Sequence, residues 1–534
     1  MTMRSIFHAV RRASLIALCA ACCVAQAAEG PAAKHPNIVY VLADDLGYGD
    51  VGCYNPEAKI ATPHVDRLAR EGMRFTDAHS GSAVCSPTRY GILTGRYAWR
   101  TRLQRGVLGP YDPPLIDAAR LTVPALLRQH GYRTACVGKW HLGWQWPQVS
   151  GEVVFDQPIT EGPTTRGFDS YFGTDVPNYP PYCFLRNDRT VGQPTDHKTE
   201  KNLDGRPGPM LPGWRFDAIL PALGDEAARF IAEQSKASEP FFLYVPLTSP
   251  HEPIAPSAAF RGRSGISPLA DFIMETDDAL GKVLKAIDDA GIGPDTLVIF
   301  TSDNGHAKYT GLPELLARGH NPSGPLRGYK TDIWEGGHRV PFVVRWPGKV
   351  AAGSRCDTTI CHTNLMATCA EILGASLPPA AGEDSVSILP LLRGEESTRP
   401  ALEAVVHHSG GGEFAVRRGP WKLVLLKPAA AKARQPAKKQ PAKQQPAAKK
   451  KSAQQKAAAV AKQSPQPAAA QAAESQPQAP QLYNLERDLA ETTDVAAEHP
   501  EIVAELTAVL EKIVGEGRSS PGPAQQNDVP VQWR

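Results

Sequence analysis

Between residues 37 and 350, short apolar runs alternate with stretches whose apolar positions recur at helical spacing. That alternation predicts an α/β domain on a largely parallel or mixed sheet. Ile38 to Ala43 is apolar without a break and reads as a strand covered on both faces. Thr62 and Pro63 supply a helix cap and first turn, and Gly72 ends that helix. Thr122, Pro124 and Gly131 repeat the device, after which Tyr132 to Val137 returns as a strand. Phe241 to Val245 and Leu297 to Phe300 are further strands; between them Ile273, Leu280, Val283, Leu284 and Ile287 mark one face of a helix. Beyond Val350 the pattern predicts strands at Ala415 to Arg417 and Lys422 to Leu426. A final helix near Glu501 to Val514 carries the stripe Ile502, Leu506, Val509, Leu510 and Ile513.

The expected organisation is an α/β domain over 28–350, a smaller C-terminal α+β domain over 351–426 and 481–520, and a flexible tail at 521–534. Residues 427–480 are almost entirely Ala, Pro, Lys and Gln with no aromatic residue, which predicts a disordered, solvated insertion, with a basic tether for anionic polymer as the sharper reading. At the other end, Arg4, Arg11 and Arg12 precede the apolar stretch Ala13 to Val24 and the small-residue site Ala25-Gln26-Ala27. Residues 1–27 therefore read as a cleaved secretory signal, and the protein as secreted or periplasmic. No later stretch is apolar enough to span a bilayer, so a polytopic membrane protein is excluded. The formal charge of +3 hides an acidic body. Without segments 1–27 and 427–480 there remain 44 basic and 54 acidic residues, which argues against a nucleic-acid surface. Seven cysteines follow the signal, at 53, 85, 136, 183, 356, 361 and 369. An odd number leaves one apart, for which Cys85 is the candidate; the others allow up to three bridges or stand as buried thiols.

Chemistry-bearing residues cluster after the expected strands, where ligands bind in open α/β sheets. Asp44 and Asp45 follow the first run. Two carboxylates ~4 Å apart repel by roughly 4 kcal/mol at an effective dielectric of about 20, so a buried pair wants a cation or a proton. Asp303, Asn304 and Gly305 follow Leu297 to Phe300, Gly305 permitting a tight turn. Together these residues offer an all-oxygen set suited to Ca²⁺ or Mg²⁺ and poor for zinc. Lys139 and His141, two apart, reach one site if the chain there is extended. Ser249-Pro250-His251, Gly328-Tyr329-Lys330 and Glu335-Gly336-Gly337-His338-Arg339 complete the set.

The segment Cys85-Ser86-Pro87-Thr88-Arg89, followed by Thr94-Gly95, resembles the C-x-P-x-R signature of type I sulfatases. The K-x-H, S-P-H, G-x-K and E-G-G-x-R segments are similar to further segments of that family, in its chain order. The resemblance implies an alkaline-phosphatase-like fold and a sulfuric ester hydrolase in which a maturation enzyme oxidises Cys85 to formylglycine. It implies a Ca²⁺ held by Asp44, Asp45, Asp303, Asn304 and the oxygen of the converted Cys85, and a catalytic set of Cys85, Arg89, Lys139, His141, His251 and Lys330. In that scheme Arg89 positions the aldehyde hydrate and Asp303 takes the proton of the attacking hydroxyl. Lys139 and Lys330 neutralise sulfate, His251 with Lys330 serves the leaving alcohol, and His141 takes the proton when the sulfated hydrate collapses. A hydrated aldehyde suits the chemistry because its second hydroxyl expels sulfate without another attack at sulfur. Pro87 favours a helix start two residues beyond Cys85, setting residue 85 at a positive helix terminus. The stretches 162–173 and 306–321 resemble arylsulfatases and galactosamine-sulfate sulfatases, which points to a carbohydrate sulfate. Two alternatives are a phosphomonoester or phosphonate monoester hydrolase of the same fold, and an inactive protein that binds sulfated glycan.

Overall fold

The structure, a computed structural model, describes residues 35–395, 402–427 and 479–533. The expected secretory segment and, but for its ends, the expected insertion lie outside the described residues. Ten strands form the main sheet: β1 (Asn37–Asp44), β2 (Met73–Phe75), β3 (Arg133–Lys139), β4 (Ser170–Thr174), β5 (Leu185–Arg186), β6 (Arg189–Thr190), β7 (Phe241–Pro250), β8 (Thr296–Ser302), β9 (Phe342–Arg345) and β10 (Ser354–Cys356). Their order is β10-β2-β9-β8-β1-β7-β3-β4-β5-β6. The inner run β8-β1-β7-β3-β4 is parallel, while β9, β5 and β6 run antiparallel to their neighbours. The sheet is thus mixed with a parallel centre, as the alternating pattern implies.

Strand β1 is buried at every position. Ile38, Tyr40 and Leu42 join the core on one face of the sheet, with α2 (Cys85–Thr94), α3 (Val123–Gln129) and α6 (Leu365–Ile372). Val39, Val41 and Ala43 join the core on the other, with α1 (Pro63–Glu71), α4 (Ile219–Gln234) and α5 (Pro268–Asp289). Alternation sends successive side chains into different cores, so a strand between two helical layers has no polar position to spare. The α3 cap is as expected, Thr122 accepting from the Ala125 amide. At α1 it is not. Thr62 Oγ1 accepts from the Gly52 amide, and the α1 amides of His64 and Val65 donate to Asp277 on α5 at 3.0 and 2.8 Å. A carboxylate answers the positive helix end better than a hydroxyl.

The C-terminal part is a four-stranded antiparallel meander, β11 (Val405–His408), β12 (Phe414–Arg418), β13 (Trp421–Leu425) and β14 (Gln481–Asn484), covered by α7 (Pro500–Gly515). Leu506, Leu510 and Ile513 pack on Val406, Val416 and Leu423, in a core that also takes in Tyr97 and Trp99 of the large domain. The tail, expected to be flexible, lies fixed against the large domain as far as residue 533. The Asp528 amide donates to the Arg100 carbonyl at 2.8 Å, Arg96 pairs with the Asp528 carboxylate at 3.0 Å, and Val531 and Trp533 pack on the same core. Polar composition hid those anchors, because they depend on two arginines over four hundred residues away in the chain.

A buried charged cluster lies at the seam between the two parts. Lys422 pairs with Glu335 at 3.0 Å and Glu491 at 2.7 Å; Arg339 and Arg417 both reach Asp77, at 3.1 and 3.3 Å. His79 Nε2 lies 2.8 Å from Asp77 and its Nδ1 3.1 Å from His338 Nδ1, while His338 stacks on His407 at 3.9 Å. The seven cysteines among the described residues are free thiols, and no bridge forms between them. Among the described residues no helix is long and apolar enough to cross a membrane.

Candidate active site

The site opens beyond the carboxyl ends of β1, β3, β7 and β8. Asp44 ends β1, and Asp45 turns away with φ 69°, in the left-handed region. A non-glycine residue there stores strain that its surroundings must hold, here by lacing two turns together. The Asp45 amide donates to Asp303 Oδ1 at 3.2 Å, the Leu46 amide to Ser302 Oγ at 3.0 Å, and the Asp303 amide to the Ala43 carbonyl at 3.1 Å. Asn304 Nδ2 donates to Asp45 Oδ1 at 2.7 Å and to the Gly305 carbonyl at 2.9 Å. Both partners accept, so the amide orientation is fixed and Asn304 Oδ1, buried, is left without a partner. Gly305 is needed for space rather than for its turn: a Cβ there would strike the Gly336 carbonyl, and its amide donates to the Gly337 carbonyl at 3.0 Å.

Three cations answer the three carboxylates. Lys139 Nζ lies 2.7 Å from Asp44 and Lys330 Nζ 2.7 Å from Asp45. Arg89 forks onto Asp303 Oδ2 through Nε and Nη2 at 3.1 and 2.8 Å, and donates to the Lys139 carbonyl at 2.9 Å. Burial raises Asp44, but Lys139 and the neighbouring His251 and Arg89 overcome it and hold the group well below the usual carboxylate range. Asp303 goes the other way: burial, then the Asp44 charge, push it up to about 6. Cys85 is the first residue of α2, its Sγ 3.6 Å from Asp44 Oδ1. The helix thus starts two residues earlier than Pro87 suggested, because proline fits anywhere in a first turn, where the amide has no partner inside the helix. Burial pushes the thiol up, against the pull of Lys139 and Lys330.

One possible ligand atom each from Asp44, Asp45, Cys85 and His251 lies within 4.8 Å of the others. Together with the orphaned Asn304 oxygen, the carboxylates make a donor set that fits a hard divalent cation. His141 does not arrive by the alternation of an extended strand. Lys139 ends β3, and His141 sits at φ 53° in a turn whose amide donates to Asp175 Oδ1 at 3.1 Å, an oxygen that also takes Trp144 Nε1 at 3.0 Å. His141 Nε2 lies 3.0 Å from the Leu108 carbonyl, which can only accept, so Nδ1 is the ring's free lone pair and has no partner. Burial first, then Lys139 and Arg89, hold this imidazole well below its ordinary value, hence neutral. His251 Nδ1 lies 2.6 Å from the Glu252 carbonyl and 3.4 Å from the Glu252 carboxylate, which leaves Nε2 on the Asp45 side at 4.0 Å.

Cys85, His141, His251 and Lys330 line one cavity of about 570 Å³ whose wall includes Asn178, Tyr179, Arg206, Glu252 and Tyr309. A larger cleft of about 690 Å³ between Phe216 and Asp271 contains none of the chemistry-bearing residues. The ten residues given catalytic or metal roles from the sequence meet around this site, whereas Glu335, His338 and Arg339 of the last motif lie in the seam cluster. Four contributors escaped notice. Glu252 stands beside His251 and could have been read from the adjacent acid. Asp50 accepts from the Gly47 amide at 2.7 Å, lies 2.8 Å from His320 Nε2 and 3.6 Å from His306 Nδ1, and so joins the two ligand turns. Asn178 and Arg206 come from loops with no periodic signal.

A mixed sheet with this floor of carboxylates and cations under a helix N-terminus defines an alkaline-phosphatase-like hydrolase. The family profile described as Sulfatase matches residues 36–375. The chain is 32% identical over 525 residues to an N-acetylgalactosamine-6-O-sulfatase of Bacteroides thetaiotaomicron, covering 91% of this chain and 94% of that protein. It is 34% identical over 419 residues to arylsulfatase A of Homo sapiens, covering 76% and 78%. A solved structure from work on glycosaminoglycan metabolism by Bacteroides thetaiotaomicron superposes with a TM-score of 0.74 at 30% identity, covering 90% of this chain and 99% of that one. The chain belongs to the sulfatase family and is a sulfuric ester hydrolase.

Proposed function

We propose that this sulfatase is an exported enzyme that removes sulfate from carbohydrate esters, with Cys85 converted to formylglycine by a maturation enzyme and Ca²⁺ held by Asp44, Asp45, Asp303, Asn304 and the converted residue. The position of Cys85 carries the reading. Its thiol heads a helix among groups built to receive an anion, yet burial raises its pKa, so unaltered it is a poor nucleophile. The hydrated aldehyde supplies one hydroxyl to attack sulfur and a second through which sulfate is released. When bound by these residues, a hard divalent cation would supply positive charge to offset that of the sulfate. Asp303, raised toward neutrality, takes the proton of the attacking hydroxyl, and Arg89 holds the hydrate in position. Lys139 and Lys330 oppose the sulfate charge. His251, its Nδ1 tied to the Glu252 carbonyl, gives a proton to the leaving alcohol from Nε2 with Lys330 beside it. His141, neutral with a free Nδ1, takes the last proton as sulfate departs.

The carbohydrate assignment is supported by similarity to the N-acetylgalactosamine-6-O-sulfatase over nearly the whole chain, and export by the pattern of residues 1–27. Mass spectrometry of the residue-85 peptide, from protein made with the maturation enzyme, should find the aldehyde in place of the thiol. Rates on 4-nitrophenyl sulfate should exceed those on 4-nitrophenyl phosphate. An unaltered thiol in fully active protein, or a strong preference for phosphate, would overturn the proposal.

A further inference from the structure

The cavity above Cys85 carries more positive charge than the reaction at its floor uses. On the floor Arg89, Lys139 and Lys330 each have a carboxylate. Higher up, Lys201 and Arg206 line the same cavity, and among the described residues neither has a carboxylate partner. Arg206 is held in place nonetheless. Its guanidinium lies 4.0 Å from the centre of the Tyr179 ring, and Nη2 donates to the Tyr179 hydroxyl at 2.9 Å. The loop is held too, Tyr182 donating to the Arg206 carbonyl at 2.6 Å and to the Asn178 carbonyl at 3.1 Å. The Tyr179 ring also meets His141 edge to face, with ring centres 5.7 Å apart. The guanidinium, without a carboxylate partner, therefore packs on the same aromatic ring that contacts the histidine of the site. A guanidinium already stacked loses little freedom on binding, and its fork matches carboxylate and sulfate oxygens.

We infer that Lys201 and Arg206 form a subsite for a second anionic group, a carboxylate or a sulfate ester, on the sugar next to the one that is desulfated. The substrate is then an acidic oligosaccharide end rather than an aryl or steryl sulfate. This inference rests on the carbohydrate reading above.

The test compares three disaccharides in which N-acetylgalactosamine 6-sulfate is linked to glucose, to glucuronic acid or to sulfated glucose, with 4-nitrophenyl sulfate alongside. At low salt kcat/KM should be at least about tenfold higher for the acidic disaccharides than for the neutral one, a ratio that shrinks as ionic strength rises. Of the two acidic probes, the faster identifies the natural anion. In the Lys201→Ala/Arg206→Ala variant the ratio should fall to within about twofold of one, through KM, and Arg206→Lys should keep part of it. A ratio near one in the wild type, a ratio unchanged in the double variant, or cleavage of 4-nitrophenyl sulfate alone overturns the inference while the sulfatase chemistry stands. Failure to cleave any sulfate ester defeats the underlying reading instead.

Discussion

Two buried clusters in this molecule match three acids with three bases, and the proposed chemistry falls on only one of them. At the seam, Asp77, Glu335 and Glu491 face Arg339, Arg417 and Lys422; at the active site, Asp44, Asp45 and Asp303 face Arg89, Lys139 and Lys330. Charge balance therefore does not separate glue from catalyst. Nor does an orphaned atom alone, since both ring nitrogens of the sealed His407 lack partners, as do Asn304 Oδ1 and His141 Nδ1. The difference is access. The active-site cluster lies behind an open cavity that its own Lys330 lines together with Cys85, His141 and His251, whereas His79, His338 and His407 lie in a buried joint where the groups meet each other. Buried pairs contribute less to stability than their Coulomb energy suggests, but breaking one leaves a desolvated charge. The same substitution chemistry should thus read out as lost turnover in one cluster and lost stability in the other.

The sharpest break in this comparison is Cys85→Ala, which should lower turnover by about 10⁵-fold or more in a steady-state assay, with the melting temperature nearly unchanged. Asp303→Ala should lower both the rate, by about 10²- to 10⁴-fold, and the bound Ca²⁺ measured by elemental analysis. His141→Ala should cost a rate in the same range but keep the metal, which separates proton transfer from metal binding. At the seam, Lys422→Met strands Glu491 and leaves Glu335 with Arg339 alone; denaturant unfolding should show a loss of about 3–5 kcal/mol while the specific activity of the folded fraction stays within about threefold. Full stability in that variant would erase the distinction between the clusters. The smallest effect is expected at Asp528→Asn, whose carboxylate is 48% exposed: below about 1 kcal/mol, from a screened pair with Arg96.

The sheet centre was legible because β1, β7 and β8 are apolar at consecutive positions, which leaves a chain little choice but burial on two sides. The gathering of the candidate site residues was legible for a related reason, as short polar motifs stand at the strand ends. What the sequence concealed depends on contacts made at long range. Asp277, in the middle of α5, caps α1, and no local pattern marks a residue as the cap of another helix. His141 reaches the site through a left-handed turn fixed by Asp175, not through strand alternation. Gly305 reads as a turn residue, yet it is required by the approach of the Gly336 backbone, invisible until both loops are folded. Arg206 owes its place to Tyr179 and Tyr182, residues of a neighbouring loop without periodicity.

The pairing of β13 with β14 has a separate consequence. Val424 stands opposite Gln481 and Trp421 opposite Asn484, so the chain leaves and rejoins the meander through two adjacent strands of one hairpin. Extra length between such ends shifts no register, and the entropy of closing a loop grows only logarithmically with its size. The fold therefore senses where that intervening stretch begins and finishes and is nearly blind to how many residues it contains. This makes the hairpin mouth a natural splice point, where evolution or an engineer can lengthen, trim or exchange a passenger without disturbing the catalyst.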